Sequence, residues 1–127
     1  MTHCFYYLSF LLHVLLIFVQ FFFSISEAIE KLLSAESLHS IAYCLSEDEG
    51  FDLASRLGIS ALTVSKILIM FGSVESKNFR LFLLWKKGIK GDVSDIKDFI
   101  NTFYDIERGD IALGITDALE KCQHFNK

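Results

Sequence analysis

Four kinds of side chain in this sequence could do chemistry, and their spacing narrows what that chemistry could be. The cysteines are Cys4, Cys44 and Cys122. An odd number, widely spaced and without a CxxC pair, describes neither a disulfide framework nor a zinc ribbon. They read as reduced thiols, with Cys44 a small buried hydrophobe. The histidines His3, His13, His39 and His124 show no HExxH spacing, and no G-x-S-x-G elbow, Walker loop or Rossmann glycine pattern occurs. Asp92, Asp95 and Asp98 recur every third residue. They lack the glycine and the closing glutamate of a calcium loop, so they read as a solvated acidic helix face. Arg108-Gly109-Asp110 spells an integrin-type tripeptide, but Asp110 is better explained as a helix cap. The sequence therefore predicts no enzyme activity, no cofactor, no metal and no small-molecule substrate.

Charge points to a different kind of work. The net charge of −4 argues against a nucleic-acid partner, because phosphate binding needs clustered Lys and Arg. Two stretches of opposite sign stand out. Glu47, Asp48, Glu49 and Asp52 form an acidic one, and Lys77, Arg80, Lys86, Lys87 and Lys90 a basic one. Patches of opposite sign on different faces favour head-to-tail protein contacts. The alternative is that they are solvated faces whose surface pairs contribute little.

The elements that must position these residues read as helices. The chain has no proline and only 7 glycines in 127 residues, which permits uninterrupted helix. Leu38, Ile41, Ala42 and Leu45 fit the i, i+3, i+4, i+7 template of a first helix. Ser46 to Glu49 forms a capping box that opens a second, with Phe51, Ala54 and Leu57 inward and Gly58 as its stop. Ser60 caps a third, carrying Val64, Ile67, Leu68 and Phe71 inward and closed by Gly72. Phe79, Phe82, Leu83 and Trp85 mark a fourth, apolar round much of its girth and expected to be the most buried. Asp92 caps a fifth, with Val93, Ile96, Ile100 and Phe103 inward. The sixth starts near Asp110 and carries Ile111, Ala112, Ile115, Ala118 and Leu119. No strand pattern is present. Helices this short cannot stand alone in water and must bury their stripes on one another, giving an all-α bundle.

The N-terminus is of another character. All 28 charged residues lie from Glu27 onward. Phe5 to Phe23 is interrupted only by Ser9, His13 and Gln20. As a helix it would be about 28 Å long, enough to span a hydrocarbon core. A transmembrane helix or uncleaved signal anchor fits best. A cleaved signal peptide, with Ser26-Glu27-Ala28 as its site, is one alternative, and a head outside the working protein is another. Lys31 leans the domain toward the cytoplasmic side by the positive-inside rule, and no N-x-[ST] acceptor supports secretion.

Three stretches, in order, resemble the death domain family over residues 35–120. Phe51 to Ser60 resembles its second helix, glycine stop and third-helix cap. Leu83-Leu-Trp-Lys-Lys-Gly88 is similar to its fourth helix, and Arg108-Gly-Asp-Ile-Ala112 to the start of its sixth. Leu38 to Ala42 is compatible with the first. Phe51 stands where the family commonly has Trp, and the usual proline between helices three and four is absent, so a death effector, CARD or pyrin domain stays open. The resemblance implies a six-helix antiparallel Greek-key bundle that binds other death-domain proteins in apoptotic or innate immune signalling. With a membrane segment at 5–23, the bundle at 35–120 and a tail at 121–127, it would be a membrane-tethered recruiter. A single-domain decoy of such assemblies, or a secreted helical protein, is the alternative.

Overall fold

The computed structural model describes the backbone of residues 2–126 and the side chains of residues 9–19 and 24–126. The side chains of His3, Cys4 and the head residues 5–8 and 20–23 lie outside the described residues. Among the described residues there are seven helices and no strand: α1 (Thr2–Leu32), α2 (Ala35–Tyr43), α3 (Glu47–Arg56), α4 (Ala61–Leu68), α5 (Val74–Gly88), α6 (Val93–Asp105) and α7 (Gly109–Glu120). The chain is thus an all-α bundle with an apolar N-terminal helix.

Local chemistry sets most of the helix starts. The hydroxyls of Ser34, Ser46, Ser60 and Ser73 each accept the N–H three residues on, satisfying one of the otherwise orphan donors of the first turn. Ser46 and Glu49 complete a capping box, and so do Asp92 and Asp95. The ends are equally local. Ile59 N–H donates to Ala54 O at 3.0 Å and Gly58 N–H to Ser55 O at 3.2 Å, a Schellman closure of α3 around Gly58 at φ +90. The same pattern closes α6 at Glu107 and α7 at Cys122, where no glycine is present and φ is 62 and 51.

α5 packs on α2, α3 and α4, while α7 packs on α6 and α1. The core centres on four aromatics. Phe99 stacks on Trp85 with ring centroids 4.3 Å apart and meets Phe82 and Phe103 edge to face at 5.9 and 4.9 Å. Leu38, Ile41, Ala42, Leu45, Ile111 and Ile115 close around them. The core also draws on Ile29, Leu32 and Leu33 from the end of α1, and on Phe125 near the C-terminus. A smaller cluster of Ala54, Val64, Ile67 and Leu81 lies under α4.

One buried polar residue ties three elements together. Asn78 on α5 donates through Nδ2 to the carbonyls of Leu45 (3.2 Å), Ala42 and Ser46 (both 3.4 Å), pinning the α2–α3 corner. Gly50 on α3 lets this amide approach, since a Cβ there would overlap the Asn78 carboxamide.

Several sequence expectations change. Phe51 keeps 39% of its surface exposed, because α3 turns Gly50, Leu53 and Ala54 inward and leaves position 51 on its flank. Leu57 is half-buried. α4 ends at Leu68, a turn before Gly72, so Phe71 falls beyond the helix and is fully exposed. α5 begins at Val74 and buries one face, Asn78, Leu81, Phe82 and Trp85, while Leu83 and Leu84 stay at the surface. Gly88 is the last residue of that helix. Val93 sits in the first turn of α6 and is 58% exposed. Arg108, not Asp110, is the N-cap of α7, and it makes no side-chain cap bond. Cys44 is half-buried, its thiol donating to Ser40 O at 3.3 Å.

Candidate functional site

The acidic stretch lies on the first two turns of α3. Glu47 and Asp48 point to solvent. Asp52 accepts a hydrogen bond from Arg56 Nε at 2.9 Å, an i,i+4 pair on the exposed face. Glu49 is structural. One of its oxygens accepts the Ser46 N–H at 3.0 Å, and the carboxylate meets Arg108 Nη1 at 3.0 Å.

The basic stretch is divided along α5. Lys77 and Arg80 stand near its N-terminal end, against the α4–α5 turn. Lys77 Nζ donates to Leu68 O at 3.0 Å, satisfying a carbonyl at the end of α4. Arg80 Nη1 lies 3.1 Å from Met70 Sδ. Lys86 Nζ donates to Leu33 O at 2.8 Å, doing the same for the end of α1. Lys87 is exposed in the last turn of α5, and Lys90 is exposed in the loop that follows. The nine residues of rise from Lys77 to Lys86 separate the two ends by about 14 Å. The structure therefore groups Lys77 with Arg80, and Lys86, Lys87 and Lys90 near the end of α1. It does not present one continuous basic stripe.

Asp92, Asp95 and Asp98 also part company. Asp95 Oδ2 accepts the N–H groups of Lys90, Gly91 and Asp92 at 3.1, 2.9 and 3.3 Å. It is the organiser of the α5–α6 loop, while Asp92 and Asp98 stay exposed on the face the sequence suggested. His39 Nδ1 lies 2.7 Å from Glu75 Oε1, and its ring sits edge-on to Phe79 at 5.0 Å. Among the described residues no three His, Cys, Asp or Glu side chains gather as a metal would require.

No family model matches the chain, and neither a curated protein nor a solved structure does so. What the surface can do therefore rests on its own residues.

The most prominent feature is one that the charge pattern does not reveal. Ile69, Met70 and Phe71 form an exposed apolar turn between α4 and α5, with Leu62 and Val74 also exposed in these two helices. Lys66, Lys77 and Arg80 supply the positive charge of the same two helices. Exposed apolar side chains close to positive charge are the kind of surface that protein partners cover. The sequence signal is the run Ile-Met-Phe-Gly, which overshoots the helix that its periodicity describes.

Arg108 is the second feature that sequence spacing does not expose. Its guanidinium reaches Cys44 O and Glu49 at 3.0 Å and grips Asp110 through Nε and Nη2, also at 3.0 Å. The Asp110 hydrogen bonds, joined by those to Glu49, hold the guanidinium firmly charged. Burial alone would raise the Glu49 carboxyl, but the Ser46 N–H and the Arg108 contacts outweigh it and hold the group below its ordinary value. Arg108 likewise lowers Asp110. For an acid whose folded value is depressed, the stabilisation is complete above the unfolded value of about 4.3 and disappears as pH falls through the folded one. Replacing Arg108 by Met should cost about 1–2 kcal/mol at pH 7 and flatten the decline in stability below about pH 4.5. Urea denaturation of both proteins at pH 7 and pH 3.5 checks this. Equal acid sensitivity would show that the cluster does not carry the linkage.

Proposed function

We propose that this chain is a helical protein-interaction module of the death-domain type, held at a membrane by α1 with the bundle on the cytoplasmic side. It would recruit or cap other death-domain proteins in apoptotic or innate immune signalling, without catalysis of its own. The observation that carries the reading is the exposed turn Ile69–Met70–Phe71 with Arg80 beside it. An apolar anchor ringed by positive charge suits a partner surface that is acidic and has an apolar seat, since anchors supply affinity and charge supplies orientation and rate. The exposed Glu47 and Asp48 on α3 offer a second surface of opposite sign. Support for the reading comes from the all-α bundle of α2 to α7, whose helices follow one another in the order that the resemblance implies. Support for the anchor comes from α1, apolar and long enough to cross a bilayer.

The test uses the full chain reconstituted in nanodiscs against a panel of purified death domains, with binding measured by interferometry. At least one should bind, and more weakly as salt rises. Arg80→Glu with Lys66→Glu should weaken it about tenfold or more, as should Phe71→Ser, because a buried anchor typically contributes about 2 kcal/mol or more. Binding that ignores both variants would place the interface elsewhere. A panel with no binder would refute the family reading.

A further inference from the structure

The polar residues along α1 are few, and they are not scattered round it. The helix runs unbroken from Thr2 to Leu32. Its apolar run holds Ser9, His13 and Gln20, and Glu27 and Lys31 follow in the part that joins the bundle. His13, Gln20 and Glu27 stand seven residues apart, with Ser9 four before His13 and Lys31 four after Glu27. At about 100° per residue, these five positions fall within an arc of about 40° on one face of the helix. Ala28, Ile29 and Leu32, which α1 sends into the core, centre about 130° away round the helix. The bundle therefore covers the other side, and Ser9, His13 and Glu27 are exposed.

A polar side chain facing hydrocarbon is costly, and polar residues in spanning helices turn toward another helix and hydrogen-bond across to it. A repeat of seven keeps one seam facing a partner helix in a left-handed pair. The chemistry of the stripe selects the partner. Copies of this chain enter a bilayer in the same orientation, so a twofold pair sets each residue opposite its own counterpart. A residue in that position must both donate and accept, and serine, neutral histidine and glutamine all do so. Glu27 would meet a like charge, but Lys31 Nζ lies 3.5 Å from its Oε1, so this end of the stripe carries no net charge.

We infer that α1 pairs with α1 of a second copy in the membrane, as a parallel two-helix coil whose seam is the stripe of Ser9, His13, Gln20 and Glu27. The inference rests on the membrane insertion of α1 and goes beyond it, because a spanning helix alone needs no partner. The pair sets two bundles side by side on one face of the membrane. Two exposed Ile69–Met70–Phe71 turns then meet a clustered partner together, and the second contact becomes intramolecular.

The experiment measures Förster transfer between full chains that carry donor or acceptor fluorophores on a C-terminal tag, in phosphatidylcholine vesicles recovered by flotation. No other protein is present, so a second copy is the only partner available. Transfer should exceed the level that random placement at the same surface density gives. His13→Leu with Gln20→Leu makes the helix more apolar and keeps it in the bilayer, and should raise the dissociation constant of the pair about tenfold or more. Leu15→Ala, about 140° round the helix from the stripe, should leave it unchanged. A chain that floats but shows only random transfer overturns the pair and leaves the anchor standing. Transfer that persists in the double variant, or that Leu15→Ala lowers as much, also overturns it, because the copies then meet through another surface. A chain that does not float at all overturns both the pair and the anchor.

Discussion

Phe99→Ala should destabilise the bundle by about 3–5 kcal/mol, the largest loss expected from any single core truncation here. The side chain is fully buried and is the only one of the four core aromatics that touches the other three, stacked on Trp85 and edge-on to Phe82 and Phe103. Removing the ring forfeits its transfer from water and leaves a void between α5 and α6 that rigid neighbours cannot refill. The geometry of aromatic pairs adds about 0.5–1.5 kcal/mol beyond area alone. A domain of this size has about 5–15 kcal/mol in total, so the variant should be close to unfolding. Urea denaturation in detergent micelles reads the loss. Trp85 fluorescence should shift to the red in the native state of the variant, since its stacking partner is gone. A loss below about 1 kcal/mol with unchanged Trp85 emission would mean that the stack is not the centre of the core.

How much of this is legible in the sequence depends on distance along the chain. Ser46 with Glu49, Ser60 and Asp92 can be read because a cap and its partners lie within four residues and need no tertiary contact. The first helix can be read as well: Leu38, Ile41, Ala42 and Leu45 are all buried, as the template requires. Periodicity misplaces Phe51 and Val93 because a helix turns 100° per residue, so the inward face depends on where the helix begins and on which neighbour it meets. It misplaces Phe71 because hydrophobicity does not guarantee burial, and the helix stops a turn earlier. Asn78, Lys86 and Arg108 are illegible for a different reason. Their partners Ala42, Leu33 and Cys44 lie 36, 53 and 64 residues away, and nothing local marks a carbonyl that will need a donor. The charged stretches contain the right residues but do not disclose their duties. Lys77, Lys86 and Glu49 each satisfy backbone groups within the fold, while Glu47, Asp48, Arg80, Lys87 and Lys90 stay exposed. The exposed apolar turn is the less expected half of the candidate surface.

Phe125→Ala should cost about 3 kcal/mol, although the residue lies outside every helix. Its ring is 6% exposed and lies against Gly114, where an added Cβ would come within 2.8 Å of Cε2. Its N–H donates to Ser37 Oγ at 2.9 Å, and that hydroxyl donates in turn to Lys31 O at 2.7 Å. Lys31 Nζ reaches back to Cys122 O at 3.1 Å, and His124 Nδ1 lies 3.0 Å from Ser34 Oγ. The left-handed turn at Cys122 brings the tail into this position. The tail therefore staples the α1–α2 corner, the joint through which the apolar helix is connected to the rest of the bundle. Because these contacts all meet at the α1–α2 corner, the first consequence of the substitution should be local: faster hydrogen exchange at the Leu33–Leu38 amides, before any change at Phe99 or Trp85. Gly114→Ala should produce the same pattern from the other side by displacing the ring. If the corner amides exchange at the wild-type rate in both variants, the joint is held by α1 and α7 alone. If they exchange faster, the tail is a component of the joint, since a loosened corner frees the bundle to swing relative to α1.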